Sequence, residues 1–91
     1  MWNFSAHIEE RIEQRDISKE EILSIVNNAV NVLIIPSNRD KTIDLHFGKV
    51  QNKYILVVVN KETRNLITVR RLRKNEKVIF DQEFENEKER N

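Results

Sequence analysis

The run Tyr54-Ile55-Leu56-Val57-Val58-Val59 is apolar at every position. A strand with one wet face alternates polar and apolar side chains, whereas a strand that is apolar on both sides needs cover on both. The run therefore reads as the central strand of a sheet, and the segments on either side of it read as its neighbours.

Upstream, Gly48 opens a reversal that Asn52 closes. Before it, Thr42, Asp44 and His46 alternate with Ile43, Leu45 and Phe47, the pattern of a half-buried strand whose polar trio faces solvent. Earlier still, Val32 to Ile35 is a short β-branched run that Pro36 ends, since proline has no amide to give a central ladder. Downstream of the turn at Asn60 to Asn65 comes a strand from Leu66 to Leu72. Strict alternation places Leu66, Thr68, Arg70 and Leu72 on one side and Ile67, Val69 and Arg71 on the other. Lys77 to Phe80 fits a fifth, short strand or extended chain, followed by a frayed helix or disorder. Phe80 and Phe84, four apart, also suit a helix.

Two helices precede the strands. From Phe4 to Ser18, Phe4, Ile8 and Ile12 form one apolar strip, with His7, Arg11 and Arg15 at its edge and Ser5 as N-cap. Ser18 and Glu21 have the spacing of a capping box, flanked by Ile17 and Ile22 at staple positions. Ile22, Ile25, Val26 and Ala29 then repeat at helical spacing until Asn27 and Asn28 end the helix. Helices followed by strands on short turns predict an α+β domain. Two N-terminal helices pack on one face of a four- to five-stranded antiparallel sheet, and the other face is the natural place for a site. The expected division is one domain over residues 1–80 and an acidic C-terminal tail over 81–91.

The 91-residue length suits one domain with a small core. No cysteine is present, so disulfides and thiolate metal sites are excluded, and a reducing compartment, the cytoplasm, is expected. Neither a signal-peptide pattern nor a run of the ~20 apolar residues that a membrane helix needs is seen. The net charge of +1 conceals an uneven distribution: residues 1–38 carry −3, residues 39–80 carry +7 and residues 81–91 carry −3. A basic middle attracts phosphates if its charges share a face; otherwise it is a solvated sheet surface.

Glycine-rich phosphate loops, zinc-finger spacing and nucleophile elbows are absent. The two histidines lie far apart, and no metal or cofactor is expected. The remaining imidazole, guanidinium, ammonium and hydroxyl groups suit metal-free RNA cleavage. That reaction needs a base for the 2′-hydroxyl, cations for the developing phosphorane charge and an acid for the leaving oxygen. His7 fits the proton-transfer role, because imidazole ordinarily titrates near ~6.5. Arg11, one turn on, fits a phosphate-gripping fork. Lys53 and Arg70 add charge from the sheet, and Thr68 a hydroxyl. Each has a plainer reading: His7 as a helix-boundary residue, Arg11 and Arg15 as partners of helix glutamates, His46 as part of a wet strand face, and Arg70, Arg71, Arg73 and Lys74 as a solvated strand end.

The segment Phe4-Ser5-Ala6-His7, Arg11, Arg15-Asp16-Ile17-Ser18, Glu20-Glu21 resembles the opening of a family of small bacterial and phage domains of unknown function. Their pattern is Ser-x-His, an arginine four residues later, then Arg-Gly-Ile-Ser and acidic residues. Val57 to Val59 and Ile67-Thr68-Val69 are similar to that family's later strands, so the resemblance covers about residues 4 to 72. That family resembles in turn the BrnT and RelE/ParE-like toxins among the RNase folds. The resemblance implies a RelE/BrnT-like fold and a type II toxin acting as a metal-independent endoribonuclease. Its implied partners are RNA, free or on the ribosome, and a cognate antitoxin. His7, Arg11 and Thr68 are the catalytic positions that the resemblance implies, and Arg15 matches its pattern; on their own chemistry Arg15, Lys53, Arg70, Arg71 and Arg73 are the candidate phosphate-binding residues and His46 a further candidate. Asp16 departs from the family glycine. The alternative is a non-catalytic nucleic-acid- or protein-binding module of the same fold, or a homodimer formed through the edge strand at residues 31–36.

Overall fold

The computed structural model describes the backbone of residues 1–89 and the side chains of residues 1–84. The elements in order are β1 (Asn3–Phe4), α1 (Ala6–Arg15), α2 (Lys19–Val26), β2 (Val32–Pro36), β3 (Ile43–Val50), β4 (Lys53–Asn60), β5 (Asn65–Arg71) and α3 (Lys74–Glu89). The sheet has the order β1-β5-β4-β3-β2. All neighbours are antiparallel except β1, which pairs parallel to β5. This is an α+β fold with N-terminal helices packed on a mixed, mostly antiparallel five-stranded sheet, and it agrees with the RelE/BrnT-like topology that the resemblance implies.

The apolar run is in the middle, as its composition requires. Ile55, Val57 and Val59 face the helix pair and join Ile8, Ile17, Ile22 and Ile25 in the main core. Leu56 and Val58 face the other way, into a second core with Leu72 and Phe80. That second core corrects the expectation of an open face and of a strand at Lys77–Phe80. The segment is helical, and α3 covers the sheet surface opposite α1 and α2. The physical reason is the two-sided apolarity of β4. Phe80 is buried against Leu56 and Leu72, and its ring meets that of Phe84, one turn away, at a tilt of 49° with centroids 4.7 Å apart. The fifth strand is instead the two-residue β1. Residues 81–84 of the acidic stretch belong to α3, the side chains of 85–89 lie outside those described, and residues 90–91 lie outside the described residues altogether.

Both predicted caps are present. The Ser5 hydroxyl accepts from the Ile8 amide, and Ser18 and Glu21 form the full capping box. Between the helices Asp16 adopts φ 53 and ψ 47, the left-handed region. That conformation explains the glycine preferred here by the resembling family, since a glycine enters it without a Cβ penalty.

Two strand readings are corrected. Along β5 the register slips between Val58 and Val59: Thr68 pairs with Val58, but Leu66 pairs with Val59. A bulge of this kind breaks the two-residue alternation. Leu66 and Val69 therefore both enter the helix-pair core, while Arg70 and Leu72 face α3 and Thr68 reaches His7 of α1. In β3, His46 is not on a wet face. It points with Gly48 and Val50 beneath the helix pair and is only 5% exposed. Gly48 is needed there, because a Cβ would lie 2.7 Å from Ile25 Cγ1.

Candidate functional site

The start of α1 is fixed to β5 by one side chain. Ser5 Oγ donates to the Leu66 carbonyl at 3.1 Å while accepting from the Ile8 amide at 3.2 Å. The first turn of α1 thus starts at the β5 edge. Ile8 enters the main core, and His7 beside it emerges on the Thr68 side. At the far end of α1 the Asp16 carbonyl accepts from Lys53 Nζ at 2.8 Å. The helix runs along β5 and covers the part of that edge which the short β1 leaves unpaired.

His7 Nε2 lies 3.3 Å from Thr68 Oγ1 and 3.5 Å from Arg11 Nε. The guanidinium can only donate, so in this arrangement Nε2 is the unprotonated nitrogen of the ring. His7 is exposed, and Arg11 and Thr68 are half-exposed. An imidazole lone pair, a hydroxyl and a guanidinium thus converge at a solvent-open seam between helix and sheet. Three of the residues picked from sequence are brought together here, although they lie up to 61 positions apart.

Arg15, Arg71 and Arg73 are exposed, and among the described residues they make no salt bridge. Arg15 lies in the last turn of α1, while Arg71 ends β5 and Arg73 precedes α3. Arg71 and Arg73 are thus close in sequence at the C-terminal end of β5.

Arg70 and Lys53 are occupied. Arg70 grips Glu76 of α3 through Nη1–Oε1 at 2.8 Å and Nη2–Oε2 at 2.9 Å. The Arg70 hydrogen bonds are the main cause holding the Glu76 carboxyl down at about 2, and burial opposes them. The same pair raises the Arg70 guanidinium above its ordinary value. Glu76 also accepts from the Arg73 amide at 2.7 Å, closing the first turn of α3. Lys53 is held by Glu21 at 3.2 Å and by the Asp16 carbonyl. Burial works to raise the Glu21 carboxyl, but the Ser18 amide and the Lys53 ammonium outweigh it, and the net shift is downward.

His46 belongs to a different environment. Its ring meets Trp2 edge-on at 6.4 Å between centroids, and its buried Nδ1 has no hydrogen-bond partner among the described residues. Burial lowers its affinity for a proton, against a smaller pull upward from Asp44. Trp2 is held by Asn27 at its indole nitrogen and by Arg64 stacked 3.7 Å over its ring. Two contacts that position the candidate site do not follow from sequence pattern: spacing predicts Ser5 as a cap but not its tie to β5, and it does not predict Glu76 as the partner that occupies Arg70. The available signal for Glu76 was its place three residues after Arg73, the capping-glutamate spacing.

No three His, Cys, Asp or Glu side chains gather as a metal-binding group among the described residues. Nor is any described helix long and apolar enough to cross a membrane. Residues 4–80 match the family described as domain of unknown function DUF4258. The chain belongs to that family. The DUF4258 match takes in the seam of His7, Arg11 and Thr68 together with the Arg70–Glu76 clamp, and it ends within α3 at Phe80. No curated protein and no solved structure matches the chain.

Proposed function

We propose that this DUF4258 domain is the toxin of a type II toxin–antitoxin pair and acts in the cytoplasm as a metal-independent endoribonuclease. The observation that carries the reading is the convergence of Thr68 Oγ1 and Arg11 Nε on His7 Nε2 at an exposed seam. In this reading His7 takes the proton of a ribose 2′-hydroxyl as that oxygen attacks the phosphorus. Arg11 faces the charge that builds on the phosphorane oxygens, and Thr68 orients the imidazole. The bond to the 5′-oxygen breaks, and that oxygen receives the proton from His7, leaving a cyclic phosphate and a 5′-hydroxyl. Arg15, Arg71 and Arg73 hold neighbouring phosphates, on RNA that is free or ribosome-bound. A cognate antitoxin silences the site by covering it.

The second reading is a non-catalytic nucleic-acid- or protein-binding module. The Arg70–Glu76 clamp favours it, because the clamp withholds a cation from the seam. The two readings separate on product. Wild type and a His7→Ala, Arg11→Ala double variant are induced in bacteria, with growth and transcript ends followed, and are incubated with RNA in chelator. Removing a proton-transfer group costs about 10²- to 10⁴-fold in rate, so cleavage is expected to fall at least that far while the fold is kept. Equal cleavage by the two proteins refutes catalysis at His7. Salt-sensitive binding with no product from either establishes the module instead.

A further inference from the structure

The sheet has two edges of different character. The β5 edge is covered by β1 and α1, but among the described residues β2 at the other end pairs only with β3. The Ser37 amide donates to the Ile43 carbonyl at 2.9 Å, so on that strand the residues two and four positions earlier, Ile35 and Leu33, also direct their backbone groups to β3. Val32, Ile34 and Pro36 direct theirs outward, where the missing amide of Pro36 costs no ladder bond.

Natural edges are usually protected by charge, a bulge or a covering element. β2 is Val-Leu-Ile-Ile-Pro; apart from the proline at its end it has none of these, in a chain of which 34% is charged. Its exposed aliphatics are not alone. Ile34 and Ile35 are 43% and 41% exposed, and Val78 and Ile79 of α3 are 50% and 57% exposed. Ile35, Leu33 and Ile79 line one apolar groove of about 220 Å³ between β2 and α3.

We infer that β2 is a homodimer interface, in which the β2 strands of two copies pair antiparallel about a two-fold axis at Ile34. In that register Ile34 exchanges both backbone hydrogen bonds with its counterpart, and each Val32 amide donates to the partner copy's Pro36 carbonyl. The alignment also places Ile35 against the second copy's Leu33, beside the groove, so aliphatic side chains meet aliphatic side chains on both faces. Centring on Leu33 instead sets Ile35 opposite Asn31 and leaves it wet. A second copy of this chain is the matching occupant on charge. The strand is uncharged, and the one charged residue lining the groove, Glu76, is already paired with Arg70, so little is left to offset the desolvation of a partner's ionised groups, whereas a second copy's β2 brings none. The seam at His7 is at the opposite edge of the sheet and stays open in such a dimer.

Light scattering of the full chain over a concentration series is expected to pass from the mass of one chain to the mass of two. Ile34→Lys combined with Ile79→Glu, both at exposed positions, should hold the chain at single mass with an unchanged circular dichroism spectrum. Because the chain has no cysteine, single substitutions read the register. Hydrogen-bonded antiparallel pairs have Cα atoms about 5.5 Å apart, within disulfide reach. Ile34→Cys should therefore oxidise to a covalent dimer, and Ile67→Cys, on the covered edge, should not. Single-chain mass at every concentration overturns the proposal, and this is also what results if β2 accepts only another protein's strand. A dimer that survives the double substitution, or that cross-links equally through residue 67, overturns it as well.

Discussion

Replacing Glu76 by Gln removes the charge from the clamp between β5 and α3 while leaving a carbonyl to accept from the Arg73 amide. Glu76 stands at about 2 in the fold against an ordinary 4.5. By linkage, a depression of that size corresponds to about 3 kcal/mol. Solvent reaches 20% of the Glu76 side chain and 29% of that of Arg70, and screening reduces the expected value to about 1–2 kcal/mol. The sign follows from the direction of the shift. The native state holds its proton less tightly than the unfolded chain, so the stabilisation is complete above 4.5 and is lost as pH falls through about 2. Urea unfolding of wild type and Glu76→Gln at pH 7, 5, 3.5 and 2.5 isolates the clamp, because the other carboxylates are common to both proteins. At a slope of about 1 kcal/mol per molar urea, the variant's midpoint should lie about 1–2 M lower at pH 7, and the gap should close toward pH 2.5. A gap that is absent at pH 7, or that persists unchanged in acid, refutes the pairing as a source of stability.

The same variant frees the Arg70 guanidinium, so if RNA binds along β5, its affinity should rise and its salt dependence should steepen by about 0.7 in the log–log slope, one further phosphate contact on a single strand. Binding titrations at several salt concentrations check this. Gly48→Ala sets a methyl 2.7 Å from Ile25 Cγ1 and should cost about 1–3 kcal/mol; an unchanged urea midpoint contradicts the packing described. Asp16→Gly removes a Cβ from a residue at φ 53 and should raise stability by about 1 kcal/mol. Its one salt bridge, to Lys53 at 3.9 Å from a side chain 97% exposed, contributes little against that, and a lower melting temperature defeats the expectation. Burial holds His46 below its ordinary 6.5, so the unfolded chain takes up the proton first and wild-type stability should decline as pH falls below about 6.5. His46→Leu should flatten that decline in melts between pH 7 and 5, and parallel curves would count against it.

Much of the fold was legible because it rests on local rules. The Ser18–Glu21 box and the Ser5 cap are read from spacing alone, and the six apolar residues of β4 announced cover on both faces. The errors arose where neighbours from elsewhere in the chain decide. Lys77 to Phe80 fits a short strand by its β-branched pair and a helix by the spacing of Phe80 and Phe84, and the choice falls to the helix because Phe80 packs on the Leu56 and Leu72 side of the sheet. The alternation of β5 was right for Thr68, Arg70 and Leu72 but failed at Leu66, because the bulge opposite Val58 and Val59 depends on the partner strand.

The candidate site divides in the same way. By itself, the sequence determined which groups are available, and that His7 and Arg11 stand one helical turn apart at the boundary of an apolar strip. It also determined, through a run that is apolar at every position, that β4 is the central strand of the sheet, whereas the helix α3 over the second face and the close approach of Ile25 to Gly48 came only from the structure. Only the tertiary structure decided that Ser5 ties α1 to Leu66 and so brings His7 to Thr68. The structure likewise placed Arg70 against Glu76 and sealed His46 under Trp2. The reason is physical: periodicity follows from bonds between residues a few positions apart, whereas the use of a polar side chain is settled by which distant group reaches it first and how much water is left beside it.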